Sequence, residues 1–158
     1  DAAIVQADGR FLPLADASVD CATIAFGIRN ILPRENAFRE IHRVLAPGGR
    51  LCVLEFGSGK NPIWRGLYNL YLKRLLPLVG RIVSGDSKAY SYLADTILAF
   101  PQAPALAREM MDAGFACAYY RPMLSGIVYL HVAEKPGLGS EDKDQGQTSG
   151  QSQEAEGP

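Results

Sequence analysis

The chain is poor in cysteine and in excess charge, and each scarcity excludes a class of protein. Its three cysteines, Cys21, Cys52 and Cys117, lie far apart without CxxC spacing, so we expect them to form no metal site and no nucleophile. Two of them lie in predicted core strands, which favours small buried side chains in a reducing compartment. The formal net charge of -1 is too small for a typical nucleic-acid binder, so we expect no nucleic-acid partner.

The sequence also lacks a signal-peptide pattern, a long charge-free apolar run and an internal repeat. We therefore expect no membrane-spanning helix and a cytoplasmic location. The first residue is Asp1 rather than methionine, and a strand pattern follows at once. This beginning suggests that the chain is a piece of a longer protein.

From Pro136 the composition changes to glycine, serine, glutamine and acidic residues, and this tail carries a formal charge of -4. Such a segment buries too little apolar surface to fold, so we predict a disordered acidic tail over 136–158. Residues 1–135, with a charge of +3, then form one domain.

The most informative stretch is the apolar run Cys21–Phe26, which is followed by Gly27, Arg29 and Asn30. A short β-branched run without polar alternation is typical of a strand buried on both faces of a parallel sheet. A cation and an amide just past the carboxyl end of such a strand lie where open α/β sheets bind ligands. An ordinary polar turn after a strand would explain the same residues.

A strand–helix–strand unit follows this stretch. Residues Arg34–Ala46 repeat apolar side chains at helical spacing, and Pro47-Gly48-Gly49 would end that helix before an apolar strand over Leu51–Phe56. Such a βαβ unit requires a parallel sheet. His42 falls beside the apolar stripe of the helix and is expected to be structural.

Both ends of the domain add further strands. Ala2–Gln6 is a predicted strand that stops at Asp8-Gly9, where the carboxylate could accept hydrogen bonds from a ligand or form an Asx turn. Strands over Phe115–Tyr120 and Ile127–Glu134 would pair as an antiparallel hairpin, with His131 in a structural position. Helices are predicted from Ser87 onward and over Pro104–Ala113, the second closed by Gly114.

The range Asn61–Gly80 has a wide apolar face that includes Trp64, and a polar stripe at four-residue intervals. We favour a helix packed on the sheet. The alternative is a lid, or an amphipathic helix that faces a lipid substrate and contacts a membrane surface through Trp64–Leu76.

Several short motifs follow one another in register over residues 2–135. They are Gln-Ala-Asp at 6–8, Leu-Pro-Leu at 12–14, Asp-Ala-Ser-Val-Asp at 16–20, Thr-Ile-Ala-Phe-Gly-Ile-Arg-Asn at 23–30, Arg-Val-Leu-Ala-Pro-Gly-Gly-Arg-Leu at 43–51, Leu-Glu-Phe at 54–56, Tyr-Ser-Tyr-Leu-Ala at 90–94 and Ala-Gly-Phe at 113–115. Together they resemble the ubiquinone/menaquinone biosynthesis C-methyltransferases, which are class I enzymes that use S-adenosylmethionine. Phe-Gly-Ile-Arg-Asn is the narrowest motif and singles out the quinone branch.

The resemblance implies a Rossmann-like α/β fold with strand order 3-2-1-4-5-7-6 and a carboxyl-terminal antiparallel hairpin. The predicted strands would be strands three to seven, so the first two strands are missing. Missing with them are the glycine-rich loop that cradles the methionine part of the cofactor and the acid that binds its ribose. No G-x-G-x-x-G occurs in the chain. We therefore expect the isolated chain to be poorly stable, to present an apolar edge on strand four and to bind the cofactor weakly.

The resemblance also implies roles for individual residues. Asp8 and Gly9 would border the adenine of S-adenosylmethionine, and Ala25 takes a cofactor position where the family often has serine. Arg29 and Asn30 would be catalytic, because they could stabilise the quinol oxygen as it loses its proton. The expected substrate-binding residues are Gly27, Tyr68, Tyr71 and Tyr90. Core aromatic packing would explain the three tyrosines equally well.

Two functions follow as hypotheses. The first is S-adenosylmethionine-dependent C-methylation of a polyprenylated quinol, demethylmenaquinol or the corresponding benzoquinol, by an enzyme of which this chain is the carboxyl-terminal part. That enzyme would be a homodimer peripheral to the inner face of the membrane. The second is a non-catalytic methyltransferase-like module that binds a lipid or a protein. A weaker variant of the first has another small aromatic acceptor, since a fold alone does not choose a substrate.

Overall fold

The computed structural model describes residues 4–57, 66, 70, 71, 74 and 87–138. Within them lie four strands: β1 (Val19–Ala25), β2 (Leu45–Phe56), β3 (Cys117–Met123) and β4 (Val128–Glu134). The α-helices of the described ranges are α1 (Arg34–Val44), α2 (Ser87–Ala99) and α3 (Ala103–Asp112). The strands form one sheet in the order β1-β2-β4-β3.

The predicted strand–helix–strand unit is confirmed, because β1 and β2 pair in parallel on either side of α1 in the chain. The helix begins at the predicted Arg34 but ends at Val44, since Leu45 already has extended backbone angles. The Nζ of Lys135 donates to the carbonyls of His42 and Leu45 at 2.8 and 2.7 Å. These bonds satisfy carbonyls that the end of a helix leaves free.

The strand β2 begins at Leu45 rather than at the predicted Leu51. Its pairing with β1 is irregular between Val19 and Cys21, and Pro47-Gly48-Gly49 forms an irregular part of the strand instead of a separate turn. Gly48 has a φ of +77°, a conformation that a side chain would strain. The Pro-Gly-Gly signal was therefore right about where the helix stops and wrong about where the strand starts.

The predicted carboxyl-terminal hairpin is confirmed. Strands β3 and β4 are antiparallel, and β4 also pairs antiparallel with β2. The strand β3 starts at Cys117 rather than at the predicted Phe115, which is 3% exposed and belongs to the core. Gly114 follows the last turn of α3 with a φ of +107°, as predicted for a helix-closing glycine.

Two strand predictions are wrong. Residues 4–6 of the strand predicted over Ala2–Gln6 form no strand, and Asp8 makes only an isolated bridge with Phe11. The run Cys21–Phe26 is not buried on both faces, because Cys21, Thr23, Ala25 and Phe26 are exposed, and β1 also lies at the edge of the described sheet. The edge position agrees with the exposed strand four that the resemblance implied.

The exposed edge also changes the assignment of the cysteines. Cys21 and Cys117 are exposed and Cys52 is partly buried, so the expected burial is wrong for Cys21. The physical reason is that Cys21 and Cys52 share the sheet face that the described residues leave partly open.

The core lies between the sheet and the helices α1 and α3. Its fully buried large side chains include Phe38, Ile28, Leu45, Leu51, Leu106 and Met110. The His42 ring meets Phe115 edge-on with centroids 5.1 Å apart. His131 is 2% exposed, with Nε2 3.2 Å from the Ala103 carbonyl oxygen. Both histidines thus have the structural positions expected of them.

Most of the helix predicted over Asn61–Gly80 lies outside the described residues, which include only four positions of Trp64–Leu76. The tail from 139 onward also lies outside them. Those four described positions, Gly66, Leu70, Tyr71 and Arg74, are exposed. In the part of the chain that the structure describes, no helix combines the length and apolar character that crossing a membrane requires.

Candidate functional site

The candidate site is the turn that follows β1. The Phe26 N–H donates to the Leu54 carbonyl at 2.8 Å, and the chain then enters a single 3-10 turn over Ile28–Asn30. Phe26 has a φ of +54°, which is uncommon for a residue with a side chain and accompanies functional turns. Ile28 is fully buried and anchors the turn in the core. Arg29 and Asn30 are thereby held at the carboxyl end of β1.

The Arg29 side chain forms an ion pair with Glu55 of β2. Its Nη1 lies 2.7 Å from Glu55 Oε1 and also donates to the Phe26 carbonyl at 2.5 Å. The side chains are 10% and 1% exposed, so both charges are nearly removed from water. A buried charge is tolerated when a partner of opposite sign lies beside it. The positive charge of Arg29 is therefore balanced inside the protein.

One donor of Arg29 remains without an acceptor among the described residues. Its Nε is buried and has no hydrogen-bond partner there, while the guanidinium carbon lies 5.6 Å from the centroid of the Phe56 ring. A buried N–H without an acceptor costs about 1–3 kcal/mol.

Asn30, unlike Arg29, is exposed. Its Oδ1 accepts a hydrogen bond from the hydroxyl of Tyr92, 3.0 Å away on α2. The helix α2 is positioned by Ala94 and Ile97, which are 3% and 5% exposed and form a small apolar cluster that Phe56 joins. The amide and the phenol thus meet at the surface beside the turn.

Two aromatic rings complete this surface. The ring centroids of Phe26 and Phe56 lie 4.7 Å apart, and Phe26 is 37% exposed. The two rings are tilted by 38° to each other and present an apolar surface. The site therefore combines an apolar wall with an amide donor and a buried guanidinium.

Asp8 and Gly9 lie against the segment that continues this turn. A Cβ on Gly9 would come 2.8 Å from the Cδ1 of Ile31, the residue after Asn30. Arg10 donates to the Asp8 carboxylate, with Nη2 at 2.7 Å from Oδ2, and to the Leu32 carbonyl at 2.7 Å. The hydrogen bonds from Arg10 lower the pKa of Asp8 from 3.8 to about 2. The carboxylate is ionised and already has one cationic partner.

The structure brings some of the other predicted residues to this region and does not describe the rest. Ala25 is exposed at the end of β1, and Gly27 lies within the turn itself. Tyr71 is 42% exposed. Tyr68 lies outside the described residues, and Tyr90 belongs to α2 but its side chain is not described.

Glu55 and Tyr92 were not among the predicted site residues. Glu55 carries a signal that sequence reasoning could have used, because a lone acid within the apolar run Leu51–Phe56 needs a charged partner. Tyr92 belongs to the motif Tyr-Ser-Tyr-Leu-Ala at 90–94, but its contact with Asn30 could not be foreseen because the two residues lie far apart in the chain.

Other features of the described residues do not add to the site. A groove of about 460 Å³ is lined by Leu32, Pro33, Arg34, Glu35, Glu109 and Asp112, none of which is a predicted site residue. Among the described residues, no group of three or more His, Cys, Asp or Glu side chains could hold a metal ion.

The sequence of this chain is similar to those of known proteins. The model of the ubiE/COQ5 methyltransferase family matches residues 1–135. The chain is 46% identical over 132 residues to the "Ubiquinone/menaquinone biosynthesis C-methyltransferase UbiE" of Pseudomonas fluorescens, a match that covers 84% of this chain and 52% of that protein. It is 43% identical over 134 residues to the protein of the same name from Cellvibrio japonicus, with 85% and 54% covered. The chain spans about half the length of the curated relatives it matches.

Solved structures show the same fold. A SAM-dependent methyltransferase from Thermotoga maritima matches with a TM-score of 0.56 and 18% identity, covering 80% of this chain and 60% of that one. A SAM-dependent methyltransferase from Aquifex aeolicus matches with a TM-score of 0.53 and 13% identity, covering 84% and 54%. At these identities the likeness concerns the fold alone, and it confirms the Rossmann-like α/β class.

Proposed function

We propose, since this chain belongs to the ubiE/COQ5 methyltransferase family, that it forms the part of a quinol C-methyltransferase that binds the methyl acceptor. The methyl donor would be S-adenosylmethionine, and the methyl group would go to a ring carbon of a polyprenylated quinol. The names of the curated relatives support this activity. The observation in this chain that carries the proposal is the turn Phe26–Asn30 at the carboxyl end of β1.

The surface beside this turn suits a quinol. A quinol ring is flat and apolar and carries hydroxyl groups at its rim. The rings of Phe26 and Phe56 offer an apolar wall, while Asn30 offers a hydrogen-bond donor beside it. Ligands of open α/β sheets bind at the carboxyl ends of strands, which is where these groups lie.

The chemistry needs the acceptor ring to become nucleophilic. This happens when the quinol hydroxyl loses its proton, because the resulting oxygen anion donates electron density to the ring. The exposed Asn30 amide could donate to that oxygen, and such a donor stabilises developing charge. Since Glu55 already balances the charge of the buried Arg29 side chain, we assign Arg29 the role of holding the turn that carries Asn30 rather than that of a free cation.

The residues of this chain that fit the cofactor are Asp8 and Gly9. The Asp8 carboxylate is ionised and its side chain is 43% exposed, so it can accept an N–H from an adenine while it binds Arg10. Gly9 follows it and packs closely against Ile31, and Ala25 has an exposed methyl group at the end of β1. When bound, S-adenosylmethionine supplies a reactive methyl group, so the protein mainly has to align donor and acceptor and exclude water.

The test uses the product of the complete reading frame that encodes this chain. It is assayed with S-adenosylmethionine and either demethylmenaquinol or a polyprenyl benzoquinol, and methylated product is detected by mass spectrometry. We expect methylation of a quinol, and a fall of about 100-fold in kcat for Asn30→Ala, as for loss of an oxyanion donor. Asn36→Ala is the matched control, because Asn36 is an exposed asparagine on α1 that is not part of the turn.

The outcomes separate the two functions. A protein that binds S-adenosylmethionine or lipid but methylates neither quinol would contradict the proposal and support the non-catalytic module. Methylation of a different aromatic acceptor would retain the enzyme and replace its substrate.

A polyprenylated substrate resides in a membrane, so we also propose a cytoplasmic enzyme that touches the inner membrane face through Trp64–Leu76 and acts as a homodimer. This part rests on the sequence pattern alone. Sedimentation with anionic vesicles should decrease for Trp64→Ala, and analytical ultracentrifugation should report the mass of a dimer.

A further inference from the structure

We propose that Tyr92 is a positioning residue of the acceptor site, which sets the orientation of the Asn30 carboxamide. The inference rests on the proposed function and gives a role to Tyr92, which belongs to the motif at 90–94 but was not among the predicted site residues. It follows from a single contact between two elements, the hydroxyl of Tyr92 on α2 and the Oδ1 of Asn30 in the turn after β1.

A carboxamide has two different ends, since its oxygen accepts hydrogen bonds and its nitrogen donates them. In an exposed position the group can rotate and present either end to a ligand. The hydroxyl of Tyr92 donates to Oδ1 at 3.0 Å, so Tyr92 engages the oxygen and the two N–H groups of Nδ2 can donate to another acceptor. A phenol donates better than it accepts, because its oxygen lone pair is delocalised into the ring. The contact therefore favours the orientation in which Asn30 donates to a ligand.

Neighbouring buried residues hold both Asn30 and Tyr92 in place. Asn30 follows Ile28, which is fully buried, and Arg29, which forms an ion pair with Glu55. Tyr92 belongs to α2, which is fixed near Phe56 by the buried Ala94. The hydrogen bond thus joins two supported elements, as a precise binding site requires.

The hydrogen bond between Tyr92 and Asn30 contributes little to the stability of the folded chain. Asn30 is exposed and Tyr92 is 59% exposed, so water can replace either partner in the unbound state. Hydrogen bonds add little net stability when both groups would otherwise be solvated. Their effect is expected on the chemistry of a bound ligand, where the wrong end of the amide would face a developing oxygen anion.

The chemical class of the ligand atom follows from this orientation. An N–H donor that is fixed in direction fits an oxygen that gains negative charge, such as the oxygen of a deprotonated quinol. The test is a double-mutant cycle on the product of the complete reading frame, with the variants Tyr92→Phe, Asn30→Ala and the two combined. Tyr119→Phe is the matched control, because Tyr119 is 53% exposed on β3.

We expect Tyr92→Phe to lower kcat for the quinol about tenfold, the effect of one oriented hydrogen bond, and to leave KM for S-adenosylmethionine and Tm unchanged. In the Asn30→Ala background Tyr92→Phe should have no further effect, because residues that act through one another are not additive. Equal losses in both backgrounds, a similar loss with Tyr119→Phe or an unchanged kcat would each overturn the proposal.

Failure of the proposed function would look different. A wild-type protein that methylates no quinol contradicts the function, whatever the variants do. The orientation of Asn30 then has its own readout, which is the side-chain amide resonance of Asn30 in a heteronuclear NMR spectrum. That resonance should shift in Tyr92→Phe and not in Tyr119→Phe, and an unshifted resonance would refute the contact itself.

Discussion

Glu55 and Arg29 form an almost fully buried ion pair that joins β2 to the turn after β1. The oxygen and nitrogen atoms lie 2.7 Å apart, and Glu55 is 1% exposed. The Glu55 Oε2 also lies 3.4 Å from the backbone nitrogen of Arg29. A carboxylate on one strand therefore holds the turn that carries the candidate acceptor groups.

The ion pair predicts a large and local effect of removing Glu55. Glu55→Ala would leave a buried guanidinium without its partner, which typically lowers the free energy of unfolding by about 3–5 kcal/mol. Glu35→Ala removes the partner of Arg39 on the exposed face of α1 and should cost no more than about 0.5 kcal/mol. Urea denaturation of the complete reading-frame product measures both. Similar losses for the two variants would show that Glu55 has no special role in holding the turn.

His131 predicts how stability depends on pH. Burial is the main cause that lowers the pKa of His131 below its ordinary value of 6.5. The unfolded state therefore binds a proton at a higher pH than the folded state does. Stability should fall as the pH drops below the unfolded pKa and level off once the folded histidine is protonated.

The measurement is urea denaturation at about pH 7.5 and about pH 5.5, which bracket the ordinary histidine pKa. The wild type should be less stable at the lower pH, and His131→Gln should lose part of that difference. Since burial also lowers the pKa of His42, the remaining difference should shrink further in the double variant His42→Gln/His131→Gln. An unchanged difference in both variants would contradict the assignment.

The open face of the sheet predicts an order of thiol reactivity. Cys21 and Cys117 are exposed, whereas Cys52 is partly buried and its burial raises the pKa of its thiol. The thiolate is the reactive form, so Cys52 should be labelled more slowly by a maleimide near neutral pH. Mass spectrometry of peptides after short labelling measures the three rates in the chain. Protection of Cys21 would mean that another segment covers this face of β1.

The chain by itself should bind S-adenosylmethionine poorly. It contains no G-x-G-x-x-G, and the residues proposed to contact the cofactor, Asp8 and Gly9, would border its adenine alone. Isothermal titration should detect no micromolar binding to the 158-residue chain. Micromolar binding would show that the glycine-rich loop is dispensable. Asp8→Asn in the complete reading-frame product should weaken binding, and Asp16→Asn serves as an exposed control.

Sequence reasoning succeeded where the signal is local. The helix α1 begins at its predicted residue Arg34, and the hairpin of β3 and β4 forms as expected. In both cases the spacing of apolar side chains and the turn residues are read over a few neighbouring positions. The position of Arg29 and Asn30 at the end of β1 also followed from local order, because residues after a strand lie at its carboxyl end.

Sequence reasoning failed where the burial or pairing of a strand depends on residues far away in the chain. The apolar composition of Cys21–Phe26 cannot tell a central strand from an edge strand, since burial of its second face depends on what packs there. The strand expected over Ala2–Gln6 likewise needs a neighbour that the described sheet does not provide for residues 4–6.

The order of the elements, the family and the residues at the tip of β1 were thus already contained in the amino-acid sequence. Only the tertiary structure decided that the guanidinium of Arg29 belongs to Glu55 and that the amide of Asn30 belongs to Tyr92. The reason is that polar groups choose partners by distance and burial in the folded chain, and both are consequences of how sheet and helices pack.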